Sequence, residues 1–186
     1  MERLKLIIIK RTDLKLLERM KNHYSKPKGF VGRNICYAIY YDDIYYGNIV
    51  GGSATLHLPN RNEFFQIDKS KLNQVINNIF FNISKVNGKY PIHNFTSYVL
   101  KKFCEVIAKD WQLKYGDKVL GFESLVELPR TGDLYLKAGW TLVGQTKGFT
   151  CKRSSGKGSD SWSGKRVWNT DKKSLRPKLV FCYKVI

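Results

Sequence analysis

The sequence predicts a mixed α/β domain built on one β-sheet flanked by helices. Strand-like runs rich in Ile, Val and Tyr alternate with helix-period segments along the chain. With 186 residues the chain matches one domain and is long enough to bury a sizeable core. A composition 42% hydrophobic and 13% aromatic excludes a disordered chain.

Residues 4–10 read as a first strand. Thr12 or Asp13 caps a helix over 13–22, with Leu14, Leu17 and Met20 at helical spacing. His23-Tyr24-Ser25-Lys26-Pro27-Lys28-Gly29 ends it in a loop. Strands follow over 35–41 and 44–53, with Asp42-Asp43 as hairpin chemistry between them. Residues 59–63 read as a turn, 69–73 as a short helical turn and 75–84 as another strand. After a polar loop over 85–93, Asn94 stands at the N-cap of the clearest helix, where Phe95, Val99, Phe103 and Ile107 recur every fourth residue. A strand over 119–126, a short helix over 131–138 closed by Gly139, and a strand over 140–144 come next. A final strand covers 179–185. The predicted order is β-α-β-β-β-α-β-α-β-β, a single domain over 1–186 with a basic Gly/Ser/Lys/Trp-rich insertion at about 145–178.

Charge is the strongest compositional signal. Thirty-three Lys and Arg against fifteen Asp and Glu give +18, well beyond the roughly 2–8 that solubility of a small domain asks for. Residues 1–34 hold ten basic and three acidic residues, and 147–178 hold ten basic and two acidic. A polyanion is the expected partner, because phosphate neutralisation releases counterions and supplies affinity independent of sequence. In the insertion, Lys152, Arg153, Lys157, Lys165 and Arg166 are interleaved with Trp162 and Trp168. Cations contact phosphates and tryptophans stack on an extruded base, so these seven are candidate DNA-binding residues. A charged loop with two packed tryptophans accounts for the same pattern.

No apolar run approaches the roughly 18 residues of a membrane span. The four cysteines, Cys36, Cys104, Cys151 and Cys182, contain no CxxC pair, so neither a zinc site nor a disulfide framework is expected. A cytoplasmic location is the natural reading.

The segment from Leu134-Tyr135 through Ala138-Gly139-Trp140 to Gly144 resembles the LYxxxGF…G stretch of GNAT acyl-CoA N-acyltransferases. That resemblance implies the GNAT fold, acetyl-CoA or a related acyl-CoA as cofactor, and Tyr135 as proton donor to the leaving thiolate. It also implies the coenzyme pyrophosphate at the start of the helix after the fourth strand. There Asn94, Thr96 and Ser97 become the candidate cofactor contacts, since free amides and the helix dipole favour an anion. The sequence before that helix, Lys89-Tyr90-Pro91-Ile92-His93-Asn94, departs from the glycine-paired family pattern.

Several short motifs in order resemble a narrower group over residues 20–150. They are His23-Tyr24-Ser25, Gly52-Ser53-Ala54, Asn77-Asn78, Asn94-Phe95-Thr96-Ser97, Glu123 to Glu127, and Gly132…Tyr135…Trp140. The group is the Mom family of phage DNA-modifying proteins and the related Druantia-associated domain. It implies modification of adenine N6 in duplex DNA, with His23, Tyr24, Glu127 and Tyr135 as catalytic residues and protection of phage DNA from restriction as the purpose. A family arginine in the fourth strand is replaced here near Phe80. Chemically, adenine N6 is a poor nucleophile whose proton must be taken as it attacks, a task for a carboxylate or imidazole such as Glu127 or His23. Structural readings stand beside these: His23 as a helix C-terminal cation, Glu127 as a partner of Arg130, Tyr135 as a core anchor. No metal ligand set is expected. Two further function classes fit the sequence, an ordinary N-acetyltransferase acting on a small amine or protein, and a non-catalytic DNA-binding module on the same scaffold.

Overall fold

The computed structural model describes residues 3–25, 27–148, 150–153, 166–169 and 176–185, with the backbone alone for 150–153 and 166–169. Strands β1 (Leu4–Ile9), β2 (Asn34–Tyr41), β3 (Ile44–Ser53), β4 (Val75–Ile83), β5 (Gly121–Glu127), β6 (Thr141–Gln145) and β9 (Lys178–Lys184) form one sheet in the order β1-β2-β3-β4-β5-β9-β6. The short strands β7 (Thr150–Arg153) and β8 (Arg166–Asn169) pair separately as an antiparallel ribbon. This ribbon lies within the stretch expected only as a basic insertion.

Helices cover both faces. Helix α1 (Leu14–Asn22) begins at Asp13, whose carboxylate accepts from the Leu16 amide. Its Leu16 and Met20 pack on Cys36, Val50 and Phe80. Helix α3 (Phe95–Tyr115) lies on the opposite face and buries Val99, Phe103 and Ile107 against Tyr37, Ile39, Ile49, Ile76 and Phe122. Strict alternation along β2 sorts the two cores: Ile35, Tyr37, Ile39 and Tyr41 face α3, while Cys36 faces α1. Gly51 on β3 is required by this packing, because a Cβ there would enter Ile107 and Ile76.

Several expectations are corrected. Residues 59–63 are not a turn but the start of helix α2 (Pro59–Phe65), with Pro59 in the first helical turn and Gln66 closing it at φ 55°. Helix α3 runs on to Tyr115 and stops at Gly116 in the left-handed region. Asn94 does stand at its N-cap, but with φ 53° and no side-chain capping bond. Helix α4 (Asp133–Lys137) is shorter than expected.

Helix α2 is held by a buried ion pair. The Arg61 guanidinium donates to the Glu123 carboxylate of β5, and both side chains are wholly buried. Their remaining polar groups are met by Thr55 and Asn62: the Thr55 amide donates to Glu123 at 2.6 Å, and Arg61 donates to the Thr55 carbonyl at 2.6 Å and to Asn62 Oδ1 at 2.7 Å. The Thr55 hydroxyl accepts from Asn77 of β4 at 3.1 Å. Burial pushes the Glu123 carboxyl up, with Arg61 the main opposing influence.

Arg61→Met leaves that carboxylate without its cation. Removing one partner of a buried pair costs about 3–5 kcal/mol, to be read by urea denaturation at pH 7.5. The stranded carboxyl has a folded pKa above its unfolded value, so the stability it contributes is present at acid pH and lost as pH rises. The deficit should therefore shrink when the titration is repeated near pH 5.

Candidate active site

β4 and β5 are the parallel pair in a sheet whose other described pairings are antiparallel, and they stay paired for only three residues, Val75–Gly121 to Asn77–Glu123. Beyond that point they part. The parting coincides with a bulge: Gly51 of β3 pairs with Asn78 and Val50 with Phe80, so Ile79 is the extra residue. The bulge also switches β4's alternation, placing Ile76 in the α3 core and Phe80 in the α1 core.

Polar side chains take over where the ladder stops. Ser124 Oγ lies 2.8 Å from Tyr135 Oη and 3.3 Å from the Asn78 carbonyl. Tyr135 Oη donates to Asn78 Oδ1 at 2.9 Å. The Asn78 amide nitrogen then donates to the carbonyls of Phe80 at 3.2 Å and Val50 at 3.3 Å. A chain of donors thus runs from β5 through α4 to the bulge of β4. Tyr135 is further fixed by stacking on Phe181, centroids 5.2 Å apart at 18°, and by an edge contact with Trp140. Gly132 opens α4 at φ 74° directly against Phe181, where a Cβ would collide with the ring.

The gap is a cavity of about 540 Å³ lined by residues 78–81 of β4, 124–127 of β5, 130–135, Lys178 and the His23-Tyr24-Ser25 loop that follows α1. It opens at the carboxyl ends of the parallel strands, where open α/β sheets place ligands. His23 and Tyr24 lie with ring centroids 4.2 Å apart, and His23 packs 4.9 Å from Phe80. Phe80, standing where the family arginine was expected, is buried against this histidine. Burial and then the Arg130 charge lower the His23 pKa below its ordinary value. Its Nδ1 lies 2.8 Å from Ser25 Oγ and 3.3 Å from the Ser25 amide nitrogen. The Ser25 amide donates to Nδ1, so Nδ1 accepts and the neutral ring carries its proton at Nε2. Burial raises Tyr24 and, more strongly, Tyr135 above the usual phenol range, so both hold their protons at neutral pH.

All four expected catalytic residues, His23, Tyr24, Glu127 and Tyr135, therefore line one cavity. Glu127 Oε1 lies 4.0 Å from Arg176 Nε. Arg130 is not the carboxylate's partner; its guanidinium lies 3.4 Å over the Tyr24 ring. The expected cofactor contacts lie at the start of α3. Asn94, Thr96 and Ser97 are outside the cavity lining, and Ser97 is buried with its hydroxyl donating to the Asn94 carbonyl at 2.9 Å. Phe95, which begins α3, packs on Tyr46 with ring centroids 5.0 Å apart, and the Tyr46 carbonyl accepts from the amide of Ser84, just past the carboxyl end of β4. Of the expected DNA contacts, Lys157, Trp162 and Lys165 lie outside the described residues. Lys152, Arg153, Arg166 and Trp168 are described by backbone only, in β7 and β8. Asn78, Ser124, Arg130 and Lys178 were not singled out as site residues. Their sequence signal was faint: a polar residue in an apolar strand, or a cation among many.

No protein-family model matches the chain, and no curated protein matches it. Solved structures do. A GNAT family acetyltransferase from Elizabethkingia anophelis with acetyl-CoA bound is similar at TM-score 0.53 and 12% identity, with all of both chains covered. RimL, the ribosomal L7/L12 alpha-N-protein acetyltransferase, is similar at 0.51 and 10% identity, covering 100% of this chain and 95% of its own. Arabidopsis thaliana NAA60 in complex with acetyl-CoA is similar at 0.53 and 11% identity, covering 98% and 97%. The fold is that of the GNAT acetyltransferases.

Tyr135→Phe removes only a hydroxyl, yet it leaves Asn78 Oδ1 and Ser124 Oγ without their shared partner. A buried polar group left unsatisfied costs about 1–3 kcal/mol. Thermal unfolding followed by circular dichroism should show a loss in that range with the fold retained; an unchanged midpoint would mean the hydroxyl chain contributes nothing to stability.

Proposed function

We propose that the protein is an acyl-CoA-dependent N-acyltransferase whose acceptor is an amine on duplex DNA. The observation that carries the transferase part is the parting of β4 and β5 beside His23, Tyr24, Glu127 and Tyr135. Past Asn77 the inner edge of β4 has no strand partner, so its backbone can pair with the amides of an extended pantetheine-like arm. The first amides of α3, unpaired within the helix, stand at the same end of the sheet and suit a pyrophosphate. These features fit the acyl-CoA with which similar structures were solved. That group supplies an activated acyl carbonyl when bound.

The chain's own residues handle protons. His23, neutral at neutral pH, is the base that takes a proton from the acceptor amine. Glu127, on the same wall, holds the acceptor or shares that proton. Tyr135 keeps its proton at Oη, supported by Ser124, and is the donor at the far end of the cavity. The acceptor class rests on charge: +18, with Lys178 and Arg130 at the cavity itself. A cationic amine would be repelled by this surface. A base amine in duplex DNA, adenine N6 foremost, is the acceptor that the His23-Tyr24 and Gly132…Trp140 motifs imply. The ordinary N-acetyltransferase reading has an observation of its own: RimL, whose description names a ribosomal protein as substrate, shares the fold over the whole chain.

Nucleoside mass spectrometry of DNA from expressing cells decides between them. An acyl-type mass addition on a base is expected from the native chain and its absence from Glu127→Gln, where a lost general base removes about 10²–10⁴-fold of the rate. Unmarked DNA together with acylated protein would establish the second reading.

The lowered His23 pKa sets a pH prediction. A base must be deprotonated, so the acid limb of the transfer rate should lie below pH 6.5. The Arg130 charge contributes to that lowering, so Arg130→Gln should move the limb upward. A limb unmoved in that variant would take His23 out of the rate.

A further inference from the structure

The cavity wall on the α1 side carries an arrangement that the proton chemistry above leaves unused. Arg130 lies with its guanidinium carbon 3.4 Å from the centroid of the Tyr24 ring. Tyr24 is in turn backed by His23 at 4.2 Å and His23 by Phe80 at 4.9 Å. Phe80 is anchored in the α1 core with Phe30, Leu16 and Met20. A planar cation therefore sits over Tyr24, the outermost of a series of mutually tilted rings that leads back to the α1 core. Among the described residues Arg130 has no carboxylate within ion-pair distance, although Glu127 is three positions away in the chain. Tyr24 covers one face of the guanidinium, and the residue as a whole is exposed.

We propose that Arg130, held flat on Tyr24, is the shelf on which the planar acceptor base stacks once it has left the duplex. The inference rests on the reading of a DNA base as acceptor and adds how the base is positioned. Chemistry on a base amine requires extrusion from the helix, and an extruded base needs a replacement for its stacking neighbours. Guanidinium planes and aromatic rings are the side chains that provide one. A phosphate would be held through the guanidinium's donor edge, and a lysine serves nearly as well for that purpose. A base uses the plane, which lysine lacks. Arg130 and Tyr24 are positioning residues in this arrangement, placing the amine toward His23 on the same wall.

Arg130→Lys separates plane from charge. The lysine keeps the cation that lowers His23, so the acid limb of the pH profile should stay where it is in the native protein. The rate of DNA base modification should fall by about tenfold or more, the weight of a lost base stack, with a raised KM for DNA. Tyr24→Leu, which removes the ring beneath the guanidinium, should lose a similar factor while circular dichroism shows the fold intact. Bulk duplex affinity, measured by salt-dependent anisotropy, should stay within about threefold in both, since phosphate contacts elsewhere dominate it. Arg130→Lys modifying DNA at the native rate would overturn the shelf and leave Arg130 acting by charge alone. Native protein that leaves DNA bases unmarked while acylating another amine would overturn the acceptor reading and the shelf with it.

Discussion

The structure depends on a ladder that stops early. Backbone amides buried in a sheet must be paired, so two adjacent parallel strands do not separate unless something else meets their hydrogen-bonding groups. Here the bulge at Ile79 shifts β4 out of register, and Asn78, Ser124 and Tyr135 supply side-chain bonds where the backbone bonds end. The same three residues thereby hold the gap open and define its floor. A cavity made this way is largely pre-formed, because closing it would break bonds that have no alternative partner.

The two cores on either side of the sheet have different tasks. The α3 core is large and aromatic, and it reaches the site through Val126 and Tyr135, which also line the cavity. The α1 core is small, and through Phe80 it touches His23 directly. The buried Arg61–Glu123 pair belongs to neither core. It ties α2 and the Thr55 loop to β5 on the closed side of the split, so the open end is free to carry exposed and mobile chemistry without loosening the sheet.

Much of the fold was legible in the sequence because its strands and its long helix carry their periods openly. Phe95, Val99, Phe103 and Ile107 announce α3, and the β-rich runs on either side of Asp42-Asp43 announce β2 and β3. Helix α2 was missed because seven residues are too few to display a period, and Leu58 at its N-cap offers no side-chain oxygen. The bulge was invisible, since register is a relation between strands and not a property of one. At the site, motif order brought out His23, Tyr24, Glu127 and Tyr135, which the cavity does unite. It placed Asn94 and Ser97 as ligand contacts from their position at a helix start. The Ser97 hydroxyl donates to the Asn94 carbonyl inside the first turn, a contact that sequence alone does not reveal. Arg130 was read as a charge seeking a carboxylate, and the nearby ring of Tyr24 proved the stronger attraction.

A long connection joins β6 to β9. These strands are neighbours in the sheet, yet the chain leaves it at Gln145 and returns at Lys178. The departure is tied off at its root: the Thr146 amide donates to the Lys178 carbonyl at 2.8 Å, and the Arg176 amide to the Gly148 carbonyl at 2.9 Å. Loop-closure entropy grows only logarithmically with length, each doubling adding about 0.6 kcal/mol. A connection tied off at its root can thus lengthen, shorten or change its composition at little cost to the sheet. The root of that connection, at Arg176 and Lys178, lies directly beside Glu127.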